Sequence, residues 1–409
     1  MGTELTDTIV IIGAGQAGLQ AAASLRQEGF AGDITLIGAE PEPPYQRPPL
    51  SKAYLDGGLE ASRLYLKPLE FYAKQRIALR RNARVAAIDR QDKQVALAGG
   101  EALSYDRLLI ATGAAPRRLA APGAELAGVF YLRSVADSDA LRAVLRAGER
   151  LVIIGAGYIG LEVAAVARKA GLAVTVLEAM DRPLARVAGP EVSAFYEDLH
   201  RGHGVDLRLG AAALGFEGKD RVEAVALKGG ETIPCGAVLV GIGVAPVTGI
   251  AEAAGLATAN GLLVDDHART GDAAIWAAGD CTNFPSPLYG RRMRLESVPN
   301  AIEQAKVAAA NMAGRDVVYD AVPWFWSDQH DVKLQTAGIS EGADQRIVRG
   351  EAGAKRLAVW SLKEGRLLAV DTMNDPASFI VGKRLIAAKA SPDPKGLADP
   401  AQDLKSLLS

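Results

Sequence analysis

Two stretches of the chain repeat one pattern of apolar and polar positions. Thr8 to Phe30 (TIVIIGAGQAGLQAAASLRQEGF) and Leu151 to Leu172 (LVIIGAGYIGLEVAAVARKAGL) each open on a β-branched apolar run and turn through glycines. Each then continues as an alanine-rich amphipathic segment of period 3.6. A second apolar run follows both copies: DITLIGAE, ending at Glu40, and AVTVLEA, with Glu178 near its end. The pattern predicts strand, turn, helix and strand, twice, which is the dinucleotide-binding unit in duplicate. Between the copies, RLLIATGAAPR (Arg107 to Arg117) reads as a buried strand entering a glycine turn. After the second copy come VLVGIGVAP and AAIWAAGDCTN, the latter a short strand stopping at Gly279 and Asp280, and then a helix over roughly 299–312. From about Tyr319 the texture changes, with Trp324, Trp326, Trp360 and alternating stretches such as RLAVWSLKEGRLLAV. These predict a separate, mainly β C-terminal domain of the α+β kind. The final SPDPKGLADPAQDL is expected to be loose and to end in a short helix.

Length and composition narrow this picture. A chain of 409 residues exceeds one ordinary core, so two or three domains are expected. A charged fraction of 23% with a net charge of −2 gives no global attraction to nucleic acid or to an anionic membrane. No apolar run approaches the roughly 18 residues that span a bilayer. MGTELTDT lacks a basic region followed by an apolar stretch, so the cytoplasm is the expected compartment, although Gly2 and Thr6 fit the loose myristoylation spacing. The 2 cysteines, Cys235 and Cys281, form no CxxC pair, which removes a thioredoxin-reductase-like dithiol and predicts two buried thiols.

The two glycine loops carry the first chemistry. In GAGQAG, Gly13 permits a tight turn, Gly15 lets the backbone approach a pyrophosphate, and Gly18 lets helix and strand pack closely; Gly155, Gly157 and Gly160 repeat the set. The helix start that follows each loop offers free N–H groups and a partial positive charge to phosphate. Glu40 and Glu178 are placed to accept hydrogen bonds from ribose hydroxyls. A carboxylate at 178 repels a 2′-phosphate and favours NADH, a preference that Arg182 nearby would weaken. Two dinucleotide sites in one chain point to hydride transfer from a nicotinamide to a flavin.

With the motifs YQRPPLSK (45–52), ATGAAPR (111–117), GYIGLE (157–162), WAAGDC (276–281) and LESVPNAIEQA (295–305), the chain resembles the FAD-dependent pyridine nucleotide–disulfide oxidoreductases. Within them it is most similar to the NADH-dependent ferredoxin reductases of bacterial monooxygenase and dioxygenase systems, and the likeness covers essentially the whole chain. The resemblance implies an α/β fold with two Rossmann-like domains, for FAD and NAD, plus the C-terminal domain. The boundaries expected are 1–112 and 242–320 for the FAD-binding domain, 113–241 for the NAD-binding domain and 321–409 for the C-terminal one. It places Gly13, Gly15, Gly18 and Glu40 at the adenosine half of FAD, and Thr112 and Gly113 in the ATG loop that also binds it. Arg47 and Lys52 fall on the flavin side, Arg117 near the phosphates, Gly279 and Asp280 at the ribitol, and Val298 and Pro299 along the flavin. Glu162 is implied near the nicotinamide as a partner of Lys52, and Trp326 close to the flavin ring. A carboxylate on the otherwise apolar helix face at 162 is costly unless paired.

The mechanism implied is hydride transfer to the flavin, with Lys52 stabilising the negative charge of the reduced ring. Without a dithiol, the electrons leave at the flavin edge, one at a time, to an acidic [2Fe–2S] ferredoxin bound transiently. Arg291, Arg292 and Arg294, together with Lys383 and Arg384, are the candidate docking cations. A monomer or weak dimer with no metal site is expected. Two other readings stay open: another flavin oxidoreductase of this frame (NADH oxidase, rubredoxin reductase or nitrite reductase subunit), and an NADH-sensing interaction protein like apoptosis-inducing factor.

Overall fold

The computed structural model describes residues 7–408, so the Gly2 and Thr6 spacing lies outside the described residues. The chain divides into two compact units, each assembled from three segments. The first takes the chain up to residue 46, then 61–115 and 245–323. Its main sheet is parallel, in the order Ile275–Ala277, Arg107–Ile110, Thr8–Ile12, Asp33–Ile37, Ile77–Arg80. The apolar runs read in the sequence are the central strands, buried on both faces as a parallel sheet requires. Helices Gln16–Gln27 and Val298–Met312 pack together through alanines, with Ala17, Ala21, Ala22, Ala301, Ala305 and Ala308 in one core with Ile9, Ile11 and Leu36. The later helix starts one residue before the expected 299. Ser297 caps it by accepting the Asn300 N–H at 3.2 Å, and Pro299 occupies its first turn, where no N–H is needed.

The second unit comprises 47–60, 116–244 and 324–409. One of its sheets is again parallel, in the order Asp206–Leu209, Val174–Glu178, Leu151–Ile154, Ala237–Val240, Val129–Phe130, with helices Tyr158–Lys169 and Pro190–Gly202. The other is antiparallel, in the order Trp324–Gln329, Val332–Gly338, Arg366–Met373, Arg356–Lys363, Gln345–Glu351, and helix Pro376–Ala387 packs on it. Trp360 is fully buried in this sheet, whereas Trp324 and Trp326 are half-buried.

One expectation is corrected here. The proline-rich stretch after residue 390 is docked rather than loose. Arg349 donates to the carbonyls of Asp399 (2.5 Å), Gln402 (2.9 Å) and Pro400 (3.2 Å), and Leu397 and Leu404 are buried beneath it. Prolines that rule out long helices left room for a helix at Pro394–Ala398, capped by Asp393.

Candidate active site

The first glycine loop follows strand Thr8–Ile12. A Cβ on Gly13, which has φ +111°, would lie 2.1 Å from the Ala111 carbonyl oxygen, and one on Gly18 would lie 1.9 Å from the Gly13 oxygen. These two glycines therefore permit close packing against the ATG loop and of helix on turn. Gly15 differs: a Cβ there meets nothing within 4 Å, so its bare backbone faces open space. It is also the cap of helix Gln16–Gln27, and no side chain takes the first N–H groups. The arrangement leaves donors aimed at a free volume, which fits a pyrophosphate. Gly279 joins the neighbouring motifs: a Cβ there would lie 3.2 Å from the Ala17 Cβ of this helix and 3.7 Å from the Ala301 Cβ of helix Val298–Met312. Asp280, Val298, Pro299 and the glycine loop all belong to this unit. Thr112 beside them donates to the Val247 carbonyl at 2.6 Å. Glu40 lies three residues past its strand and accepts a hydrogen bond from the buried Tyr45 hydroxyl. These residues fit FAD: two orienting acids, a cradle and an uncapped helix start.

The second loop repeats the geometry. A Cβ on Gly155 would fall 2.4 Å from the Gly241 oxygen and one on Gly160 2.2 Å from the Gly155 oxygen, while one on Gly157 meets nothing within 4 Å. Helix Tyr158–Lys169 likewise starts without a side-chain cap. Glu178 accepts the Ala156 N–H at 2.8 Å and the Met180 N–H at 2.9 Å, one on each oxygen, which fixes the carboxylate beside the loop and leaves further lone pairs. Arg182 is committed elsewhere: its guanidinium donates to Ala188 O (2.8 Å), Ala185 O (3.0 Å) and Ser193 Oγ (2.5 Å). Its capacity to receive a 2′-phosphate is correspondingly reduced.

Also in the second unit, the 3₁₀ turn Pro48–Ser51 presents Lys52, whose Nζ is 2.6 Å from Glu162 Oε2. Glu162 is 3% exposed, so taking it from water is costly and must be offset by donors. Three side chains supply them: Lys52, Ser51 Oγ on the same oxygen, and Ser327 Oγ on Oε1 at 2.6 Å. The structure thus brings Lys52 and Glu162 together. Arg47, on the same turn, donates to Arg133 O at 2.7 Å, and Arg117 Nε donates to Val244 O at 3.1 Å.

The serines were not singled out in the sequence, yet Ser51 lies inside the motif YQRPPLSK and Ser327 directly follows Trp326. Strand alternation separates Trp324 and Trp326 on one face from Ser327 and Gln329 on the other, and only the second face is fully buried at those positions. Trp326 stacks at 5.6 Å on Trp324, which in turn touches Phe379 and carries the Lys383 ammonium 5.3 Å over its ring. Arg384, on the same helix, is exposed. In the first unit, Arg294 pairs with Glu296 at 2.7 Å, with only 10% of its side chain exposed. Arg292 donates to Val264 O at 2.7 Å and to the carbonyl of Asn283, while Arg291 is exposed. The trio therefore does not form one free basic face.

Residues 7–305 match the model of the pyridine nucleotide–disulphide oxidoreductases, and 324–408 match that of the reductase C-terminal domain. The chain belongs to the pyridine nucleotide–disulphide oxidoreductase family. It is 45% identical to the putidaredoxin reductase of Pseudomonas putida, covering 98% of this chain and 97% of that one. It is 44% identical to the rhodocoxin reductase of Rhodococcus erythropolis, over 98% and 94%. Among solved structures, a ferredoxin reductase from Rhodopseudomonas palustris matches with a TM-score of 0.96 at 43% identity, covering 98% of this chain and all of that one. The reductase of a covalent putidaredoxin reductase–putidaredoxin complex matches with a TM-score of 0.96 at 45% identity, over 98% of both chains. As a member of this family the chain is an FAD-dependent oxidoreductase that uses a nicotinamide dinucleotide. No helix among the described residues is long and apolar enough to cross a membrane.

Proposed function

We propose that this protein takes electrons from NADH through FAD and passes them to a [2Fe–2S] ferredoxin serving an oxygenase. The observation that carries the reading is the duplicated cradle, in which Gly15 and Gly157 each face open space at an uncapped helix start. Ferredoxin as acceptor is supported by the relatives named putidaredoxin and rhodocoxin reductase and by the solved complex with putidaredoxin. It is supported also by the thiols. Cys235 and Cys281 are free and buried, and burial raises both, Cys235 to about 11, so neither offers a thiolate for disulfide exchange.

Bound FAD supplies the conversion of one hydride, two electrons, into two single-electron deliveries. The chain's own groups bind and orient. Gly13, Gly15, Gly18, Glu40, Thr112, Gly113, Gly279, Asp280, Val298 and Pro299 hold FAD in the first unit, and the family resemblance assigns Arg47 and Arg117 to the same cofactor. Gly155, Gly157, Gly160 and Glu178 hold NADH, and the commitment of Arg182 to Ala185, Ala188 and Ser193 sharpens the preference over NADPH. Lys52 keeps a positive charge on the flavin side, oriented by Glu162. The family resemblance assigns Trp326 to the flavin, while Trp324, Phe379, Lys383 and Arg384 are assigned to a small transient docking surface for an acidic partner, and Arg291 is a further candidate cation in the first unit. The functional boundaries that go with this reading are 1–112 and 242–320 for FAD, 113–241 for NAD and 321–409 for the C-terminal domain.

Anaerobic mixing of the purified flavoprotein with NADH or NADPH tests the first half. Flavin bleaching at a kcat/KM on the order of 10-fold or more in favour of NADH is expected, the size of one adverse charge contact. Equal rates would remove the role given to Glu178 and Arg182.

A further inference from the structure

The carboxylate of Glu162 is the end of a longer chain of side chains, all fully buried, that runs away from Lys52. Ser327 Oγ lies 2.6 Å from Glu162 Oε1, Gln329 Nε2 lies 3.1 Å from Ser327 Oγ, and His200 Nε2 lies 2.8 Å from Gln329 Oε1. Strand Trp324–Gln329 contributes two members and helix Pro190–Gly202 the third. The direction of every bond is fixed from the carboxylate outward. An ionised carboxylate only accepts, so Ser327 must donate its one proton to it. The Ser327 oxygen then accepts from the Gln329 amide nitrogen, which turns the amide oxygen toward His200. That oxygen can only accept, so His200 carries its proton on Nε2. The rest of His200 agrees: its Nδ1 is buried without a partner, as suits an unprotonated ring nitrogen.

We infer that Ser327, locked by Gln329 and His200, is a positioning residue for the Lys52–Glu162 pair. The inference rests on the reading of that pair as the group serving hydride transfer. An apolar residue at 327 would leave Glu162 Oε1 without its serine donor inside a site 3% exposed, and the carboxylate would turn toward Lys52 and Ser51 alone. The ammonium would then be held tighter to the acid and less well placed for the flavin. His200 enters as a neutral ring: burial pushes it down to about 4, against a raising contribution from Gln329 and a lowering one from His203. Ionisable groups around the chain include Tyr158 on the helix of Glu162, Tyr196 on that of His200, Asp371, which acts on both tyrosines, and His330 in the turn after the strand.

Two measurements test the inference. The first is ¹⁵N-histidine NMR of the holoprotein near pH 7, with His200→Gln used to assign the signal. A neutral Nε2–H tautomer for His200 is expected; an Nδ1–H tautomer or an imidazolium would overturn the donor direction. The second is rapid-mixing reduction of the flavin by NADH. Ser327→Ala should lower the limiting rate about 10-fold with NADH affinity changed less than about twofold, the signature of an interaction realised only in the transition state. Ser327→Thr, which keeps the hydroxyl, should recover most of the loss, and Ser327→Ala should cost little further in a Glu162→Gln background. If Glu162→Gln slows reduction but Ser327→Ala does not, this inference fails and the pair stands. If Glu162→Gln itself leaves the rate unchanged, the reading of the pair fails.

Discussion

At the scale of the residue, the determining feature is how each buried polar group is compensated. Lys52 and Glu162 make one ion pair with two supporting serines, and removing one partner of such a pair leaves a buried group uncompensated. Lys52→Met is therefore expected to slow flavin reduction by NADH on the order of 10- to 100-fold, measured by rapid mixing, with FAD still bound. Asp371 shows the opposite case. It is 2% exposed, it accepts a hydrogen bond from the Thr336 hydroxyl at 2.6 Å, and desolvation pushes it up to about 6. A carboxyl raised above its unfolded value gives stability that is present at low pH and is lost as pH rises through about 6. Asp371→Asn should keep that contribution, so above pH 7 it should be more stable than the parent by roughly 3 kcal/mol in denaturant unfolding, while below pH 4 the two should converge. His330 works the other way: burial and its neighbours His200 and His203 push it down to about 3, so stability falls as pH drops below the ordinary histidine value. His330 has φ 54°, a conformation asparagine tolerates, and His330→Asn should move the acid unfolding midpoint downward.

At the scale of the element, the two glycine loops make a separable prediction. Gly157 caps its helix at φ −82°, ψ −179°, backbone open to any residue, and a Cβ there meets no protein atom. Gly157→Ala should leave the thermal midpoint unchanged while weakening NADH roughly 10-fold, read by titration of flavin bleaching. Gly160→Ala should instead destabilise the fold, because its Cβ would strike the Gly155 oxygen at 2.2 Å. These elements were legible in the sequence because hydrophobic period, glycine spacing and the following acid all agree there. Glu40 and Glu178 were legible for the same reason, while the Lys52–Glu162 pair was implied by the family resemblance and by the cost of an unpaired carboxylate on an apolar helix face. What was not legible depends on tertiary approach. Ser51 and Ser327 are 276 positions apart and meet only at Glu162, and Tyr45 orients Glu40 across a turn. The docked C-terminal stretch was missed because Arg349, which holds it, lies about 50 residues earlier in a strand.

At the scale of the whole molecule, the chain leaves and re-enters each unit, and the first dinucleotide fold is completed by a distant segment, whereas the second draws all its strands from 116–244. The first sheet, for instance, needs Ile275–Ala277 beside Arg107–Ile110. With a net charge of −2, attraction to an acidic partner has to be local, and the cluster of Trp324, Phe379, Lys383 and Arg384 offers both apolar contact and positive charge. Lys383→Glu should lower the association rate with ferredoxin several-fold at low salt and less at high salt, with flavin reduction by NADH untouched. In the proposed route, electrons pass from NADH to a one-electron iron–sulfur acceptor. It is tested most directly by anaerobic mixing of NADH-reduced protein with acidic [2Fe–2S] ferredoxins, following cluster absorbance over a range of salt. Two equivalents of ferredoxin reduced per NADH, at a rate that falls as salt rises, is the predicted result. A fully reduced flavin that gives its electrons to oxygen but to no ferredoxin would contradict it.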